Sequence, residues 1–517
     1  MLTARLLTAL AGGAAAGLAF EPVALPILLP LAVAAITLAC RGVSLPAGFL
    51  VGTVFGVSFM LVLLPWLRVI GTDAWLGVAA VEGLFYGLLG LATAVVTRMP
   101  WWPAWVACLW VGVELLRGSV PFGGFPWGRL GFAGIDTPIA PLVGYGGIAG
   151  LSFAVALVGG VLAWAVLRAR RSPVAAVSAV VGTALVVSAF SLLPAAPGAD
   201  APGKPITLAV VQGNVPGVGM DAFAERRAVL DNHVRATEDL AARVESGQLP
   251  RPSFVVWPEN STDISPFDDA TVYDEISAAV DAVGVPVLVG ALVEGVEPDE
   301  VLNQGIVWAP SRGPGDRYTK NHPVPFGEYI PFRDQVARLV ARLDQIPRDM
   351  RPGTEPGLLD LNGTLVGDVI CFEVAYDDLV REVVVGGAEM IVVQTNNATY
   401  TGTGQIEQQF AIARLRAMET GRTVVIAATN GVSGIVDPQG EVVARAPVRT
   451  QQVLVEQVRT GRGVTLGVRA GPWIERGLAL VGAAVALTGL ALRRRDRRRD
   501  SGKHATSAVA ETAVGAR

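Results

Sequence analysis

Eight apolar runs dominate the chain, each near the length that crosses a bilayer as a helix: a hydrocarbon core about 30 Å thick needs roughly 20 residues. Seven fall in the first part, at Leu6–Phe20, Val23–Cys40, Ala47–Ile70, Trp75–Val96, Trp101–Leu116, Leu142–Leu167 and Val174–Leu193; the eighth is Trp473–Leu492. Between the seventh and the eighth the pattern changes. Ala199–Pro205 reads as a linker, and after it short runs rich in β-branched residues alternate with stretches of helical periodicity. Strands are predicted at Ile206–Asn214, Ser253–Trp257, Val285–Val293, Leu365–Phe372, Met390–Thr395, Thr423–Thr429, Gly434–Val436 and Gln452–Gln457, with hairpin-like chain leading to Lys320. Helices are predicted at Ala222–Ser246, Ala270–Val283, Asp377–Val385 and Gln405–Thr420. Such alternation implies an α/β layered domain.

The expected organisation is a seven-helix membrane region over residues 1–198, a globular domain over 204–460, an eighth membrane helix over 472–492, and a basic, disordered tail over 493–517. Basic residues orient it. With Arg5 in the cytoplasm, the inside loops hold Arg41, Arg98, the Arg168, Arg170, Arg171 cluster and the C-terminal arginines, while outer loops hold only Arg68, Arg117 and Arg129. That is the positive-inside pattern. It places both termini in the cytoplasm and, after an odd number of spans, the globular domain outside the cytoplasmic membrane. A cleaved signal peptide is the alternative reading of Leu6–Phe20, which is short and rich in small residues; a second span follows almost at once, and the parity works without cleavage.

Composition sharpens this. Of 517 residues, 51% are hydrophobic and 17% charged, too apolar for an ordinary soluble protein of this size. The net charge of -4 hides the basic block Arg493–Arg499. Because the basic residues flank hydrophobic spans, nucleic-acid binding has no support. Cys40 and Cys108 lie in or beside apolar runs, which leaves Cys371 without a disulfide partner in the globular stretch. His233, His322 and His504 are far apart, and no Cys/His cluster has metal-ligand spacing. No metal or other cofactor is expected.

Three passages each put an ionisable or nucleophilic residue at the end of an apolar strand: Val255-Val256-Trp257-Pro258-Glu259, Tyr318-Thr319-Lys320 and Val369-Ile370-Cys371. Strand ends are where functional groups converge in α/β folds. A thiol with an ordinary pKa is mostly protonated at neutral pH and needs a base or a nearby cation to become a nucleophile. Glu259 is suited to the first task and Lys320 to the second. Singly, each has a plainer reading: Cys371 as a small buried hydrophobe, Glu259 as a helix-capping carboxylate, Lys320 as a solvated surface residue. In the membrane part, Glu82 and Glu114 are ionisable residues inside predicted spans. Arg117 is one helical turn from Glu114, so those two are expected to pair at the outer boundary; Glu82 has no evident partner. The loop Phe122–Leu130 is expected at the outer interface, with Trp127 at headgroup depth.

Together, the three passages resemble the Glu-Lys-Cys signature of the nitrilase, or carbon-nitrogen hydrolase, superfamily. The stretch Lys320-Asn321-His322-Pro323-Val324-Pro325-Phe326-Gly327-Glu328-Tyr329-Ile330-Pro331 narrows the resemblance to apolipoprotein N-acyltransferases, as do Val211-Gln212-Gly213-Asn214, Gly124-Phe125-Pro126-Trp127 and Arg414-Leu415-Arg416-Ala417-Met418-Glu419. The resemblance implies a multi-domain protein: an eight-helix transmembrane bundle carrying an extracytoplasmic nitrilase-like domain, an α-β-β-α sandwich. It further implies Glu259 as general base, Lys320 as oxyanion and thiolate stabiliser, Cys371 as acylated nucleophile and Glu328 as a second essential glutamate. Glu328 lies eight residues beyond Lys320, after a rigid Pro-Val-Pro turn that would let it fold back onto the ammonium group. Glu373 would assist the site, or serve a purely structural hydrogen bond. Phe372 stands where many relatives have Tyr, and Asn397 and Thr399 where they often have Asp and Trp.

The activity so implied is transfer of a fatty acyl group from a membrane phospholipid, through a cysteine thioester, to the α-amine of a diacylglyceryl-modified lipoprotein, by a monomer in the membrane. A membrane-tethered amidase or hydrolase would use the same triad with water as acceptor. A non-enzymatic scaffold or transporter is the third reading.

Overall fold

The computed structural model describes the chain except for residues 195, 197, 199–202, 216, 218–225, 263, 334–346 and 515–517, with backbone only at 226 and over 496–514. Eight helices occupy the eight apolar runs: α1 Leu2–Gly17, α2 Leu28–Cys40, α3 Leu45–Leu63, α4 Thr72–Val96, α5 Trp102–Arg117, α6 Val143–Arg168, α7 Pro173–Ala189 and, at the far end of the chain, the long helix Leu466–Val514. Among the described residues, five are long and apolar enough to cross a membrane, namely α3, α4, α6, α7 and Leu466–Arg495. Helices α1, α2 and α5, with 16, 13 and 16 residues, fall short of that length. The last helix also runs on through 493–514, the stretch expected to be disordered. Most of the linker expected at Ala199–Pro205, and the start of the helix expected from Ala222, lie outside the described residues.

Helices α3 and α4 pack backbone against backbone. A Cβ on Gly52 would sit 2.1 Å from the Tyr86 carbonyl oxygen, and one on Gly90 2.3 Å from that of Gly48, so no larger residue fits. Small residues allow this close approach where apolar surroundings supply little drive for association.

The globular domain contains β1 Pro205–Gln212, α8 Arg226–Glu245, β2 Val255–Val256, α9 Ala270–Val283, β3 Val287–Glu294, β4 Glu300–Ala309, β5 Gly313–Thr319, β6 Asp349–Met350, β7 Leu358–Asp360, β8 Leu365–Ile370, α10 Asp377–Val385, β9 Met390–Thr395, α11 Gln405–Thr420, β10 Val424–Ala428, β11 Gly434–Val436, β12 Val442–Arg445 and β13 Gln452–Arg459; the long C-terminal helix is α12. One sheet has the order β13-β1-β2-β3-β4-β5, with β6 against β4; the other has β12-β11-β10-β9-β8-β7. Alternation along the strands builds three apolar layers. Leu208 and Val210 of β1 meet Val392 and Val425 of the second sheet between the sheets. Ala209 and Val211 face outward to Leu230 and Leu240 of α8 and Ile276 and Val280 of α9. On the other side, Ile391 and Val393 of β9 pack against Val383 of α10 and Phe410 of α11. The result is an α-β-β-α sandwich whose last helical layer rests on the membrane helices.

One side chain fastens that junction. The buried Gln408 of α11 donates from Nε2 to the carbonyls of Glu21 (2.8 Å) and Leu63 (3.1 Å), and its Oε1 accepts from the indoles of Trp66 (3.1 Å) and Trp127 (2.7 Å). At the opposite end of the bundle, Arg5 donates to the Ala39 and Arg41 carbonyls and Arg41 to that of Thr97. Successive helices therefore alternate between an end that meets the globular domain and an end that carries arginine.

Candidate active site

Lys320, Glu259 and Cys371 converge at the ends of β5, β2 and β8. The apolar run through Phe372 predicts a strand to that residue, but β8 stops at Ile370 and a 3-10 turn, Cys371–Ala375, takes over. Cys371 adopts φ +56°, a left-handed conformation uncommon for a side-chain-bearing residue. Such strain persists only where surrounding contacts enforce it, and it concentrates at functional sites. Here it lifts the half-buried sulfur out of the sheet, where the Thr395 hydroxyl donates to Sγ at 3.3 Å.

Lys320 is fully buried, with Nζ 3.1 Å from Glu259 Oε1 and 2.6 Å from Glu328 Oε1. Burial opposes its charge, but the two carboxylates outweigh burial and hold its pKa well above the ordinary value. Glu259 is buried as well. Its Oε1 accepts from Asn303 Nδ2 at 2.7 Å and its Oε2 from the Asn396 backbone N–H at 2.7 Å. Glu328 folds back as the Pro-Val-Pro turn suggests, and its Oε2 accepts from the Val324 N–H at 2.8 Å. Burial and the Glu259 carboxylate push the Cys371 thiol up to about 12, against the opposing pull of Lys320 and the Thr395 hydroxyl. The resting sulfur is therefore a thiol, and attack requires its proton to leave as the new bond forms.

Glu373 is fully buried and its carboxylate is taken up by hydrogen bonds within the protein. Being in the turn rather than the strand, it points inward, where it accepts from the Tyr318 hydroxyl (3.0 Å) and the backbone N–H groups of Ile370 (2.7 Å), Asn321 (2.7 Å) and His322 (2.9 Å). It thereby ties the chain after Lys320 to the chain before Cys371. Burial raises its pKa, and Lys320 and these donors pull the other way.

Two expectations for the membrane part are corrected. Arg117 pairs not with Glu114, its neighbour along the helix, but with Glu82 of α4 at 3.2 Å. Glu114 instead accepts from the Leu130 N–H at 2.7 Å and faces Arg129 at 3.5 Å. Arg129, also 2.7 Å from both Asp377 and Glu475, ties α5, α10 and α12 together. Trp127 does not present its ring to lipid headgroups or solvent. It is 1% exposed, bonded to Gln408 and stacked on Phe372 at 5.2 Å, so a ring beside Cys371 and a buried acceptor for the indole N–H outweigh interfacial solvation. Phe372, where a hydroxyl was in question, packs between Phe125 and Trp127. Asn397 donates weakly to Gln409 at 3.4 Å, and Thr399 is buried.

Beside the site, a cavity of about 420 Å³ lies where the globular domain meets α5, α6 and α12; His322 and Tyr376 line it, but none of Glu259, Lys320 and Cys371 does.

Comparison with known proteins shows the family. Residues 12–161 match the apolipoprotein N-acyltransferase N-terminal domain and 207–463 the carbon-nitrogen hydrolase domain. A Pseudomonas aeruginosa apolipoprotein N-acyltransferase is 30% identical over 391 residues, covering 72% of this chain and 71% of that protein. The chain belongs to the apolipoprotein N-acyltransferase family. A Mycolicibacterium smegmatis apolipoprotein N-acyltransferase is 40% identical over 286 residues, 54% of this chain and 48% of that protein, so the match spans about half of the relative's length. Among solved structures, Saccharomyces cerevisiae Nit3 of the nitrilase superfamily aligns over 50% of this chain and 91% of its own, with 18% identity and a TM-score of 0.36. Within the family, the carbon-nitrogen hydrolase match contains Glu259, Lys320, Glu328, Cys371 and Glu373, and the N-terminal match contains Glu82, Arg117 and Arg129.

Proposed function

We propose that this protein transfers a fatty acyl group from a membrane phospholipid to the α-amine of a diacylglyceryl-modified cysteine at the N-terminus of a lipoprotein, by a ping-pong route through Cys371. The observation that carries the reading is the convergence of one thiol, one buried ammonium and one buried carboxylate at three strand ends beside the membrane helices. In the first half, Sγ bonds to the ester carbonyl carbon as Glu259 takes the thiol proton. Lys320 stabilises the oxyanion, a task in which one donor contributes about 3 to 4 kcal/mol. The C–O bond then breaks, Glu259 returns the proton to the departing alkoxide, and a lysophospholipid leaves a thioester behind. In the second half the amine attacks the thioester, loses its proton to Glu259, and the sulfur departs and is reprotonated. An amide results.

All eight helices are read as membrane spans, with the arginine-bearing ends in the cytoplasm of the inner membrane and the globular domain outside. Support comes from the alternation of helix ends and the positive-inside distribution. A thiol at that level gains from confinement with two lipid-anchored substrates, and one copy of the chain supplies all the residues named. Mass spectrometry of lipoprotein N-terminal peptides from cells carrying wild-type protein or Cys371→Ala tests the proposal. Loss of N-acylation is expected; unchanged N-acylation removes the nucleophile. Release of free fatty acid in place of acylated peptide would favour the hydrolase reading.

A further inference from the structure

One buried acid has no part in this chemistry. Asp368 of β8 lies on the face it shares with Val366 and Ile370, between the two sheets and fully shielded from solvent. Among the described residues, neither of its carboxyl oxygens has a hydrogen-bond donor. Gln394, on the neighbouring strand β9, turns its side-chain oxygen to the same spot: the place a Gly305 Cβ would occupy is 2.1 Å from Asp368 Oδ2 and 2.5 Å from Gln394 Oε1. The amide cannot be turned round to relieve this. Its Nε2 donates to the Trp257 carbonyl at 2.6 Å, and a carbonyl only accepts. Two acceptor oxygens face one buried place, and the carboxyl is the member of the pair that can carry a proton between them.

The charged groups acting on Asp368 are the carboxylates of Glu373, in the 3-10 turn, and Glu259, beyond β2; the Tyr318 phenol of β5 faces it as well. Burial and those two carboxylates raise its pKa well above the usual range. We propose that Asp368 is a neutral carboxylic acid in the working enzyme, a positioning residue whose proton is donated to Gln394 Oε1. Gln394 is then locked against the Trp257 carbonyl, two residues before Glu259. The link joins the nucleophile strand β8 to the strand end that carries the base, through β9. Ionisation would convert it into repulsion among Asp368, Gln394 Oε1 and the nearby carboxylates.

The inference rests on the reading that Cys371 and Glu259 carry the transfer, so its test has one arm that does not depend on activity. Full-length protein in phospholipid nanodiscs is compared by infrared difference spectroscopy as wild type and Asp368→Asn. The wild type is expected to show a protonated-carboxyl stretch that the variant lacks; absence of that band overturns the proposal whatever Cys371→Ala does to acylation. In the second arm, single-turnover thioester formation is followed. Asp368→Asn, whose amide N–H can donate to the same oxygen, should stay within about threefold of wild type, and Asp368→Leu should be slowed about tenfold or more. Raising the pH should slow the wild type as the carboxyl band disappears, and spare the Asn variant over that step. An Asn variant as slow as the Leu variant would mean that the residue acts as an anion, and would also overturn the idea.

Discussion

Replacing Glu328 by Gln tests how Lys320 is held. The ammonium lies 2.6 Å from Glu328 and 3.1 Å from Glu259, and Gln keeps an oxygen at the nearer position while removing its charge. A hydrogen bond between ionised groups contributes about 1.5–3 kcal/mol, and Glu328, with a side chain 17% exposed, is shielded enough for most of that to count. Removing the charge should therefore cost about 2 kcal/mol, or about 30-fold in thioester formation measured in a single turnover by intact-protein mass spectrometry. Direction with pH follows. Two carboxylates hold the Lys320 pKa well above its ordinary value; with one gone it falls, and a rate that needs the ammonium is lost at lower pH than in the wild type. The alkaline limb should move towards neutrality. Thioester formation within about twofold of wild type, with the alkaline limb unmoved, would refute the assignment of Glu328 to Lys320.

Thr395→Val removes the hydroxyl that lowers the Cys371 pKa, so the pH profile of thiol alkylation should move upward, with alkylation at mildly alkaline pH slowed about threefold. An unmoved profile would show that this contact does not bear on the sulfur. Arg129→Met leaves Glu114, Asp377 and Glu475 around a buried site without their shared cation. Such a loss costs about 3–5 kcal/mol and should lower the apparent Tm in detergent by about 5 °C or more; an unchanged Tm would contradict it. Gly290→Ala would put a Cβ 2.1 Å from the Pro258 carbonyl oxygen and 2.7 Å from Glu259 Cα. Both are backbone atoms, so the base must shift, and acyl transfer should fall about a hundredfold while the protein still folds; near-normal transfer would show that Glu259 tolerates displacement.

Helices α10 and α11 begin and end where helical periodicity predicts, and β9 is the short apolar run between Gly387 and Asn396 that reads as a buried strand. Glu259, Lys320, Glu328 and Cys371 are legible in the same way, as candidate residues at the ends of apolar runs or after a rigid turn. Asn303 and Thr395 are not. Each is an ordinary strand residue whose importance comes from a partner across the sheet or on the neighbouring strand, Glu259 for one and Cys371 for the other. Strand β8 ends two residues before its apolar pattern does, because Val369-Ile370-Cys371-Phe372 is uniformly apolar and nothing local announces the left-handed turn at Cys371. Arg117 shows the opposite error: proximity along a helix suggested Glu114, but a facing helix supplied a different carboxylate.

Because the Gln408 amide bonds to the carbonyls of Glu21 and Leu63 and to the indoles of Trp66 and Trp127, the position of the sulfur relative to the apolar helices is held by side-chain contacts as well as by the chain that connects the two parts. A graft of the globular domain onto another anchor would keep its internal arrangement and lose that seating. Bilayers of different thickness, by tilting the helices, would tilt the whole reaction centre with them.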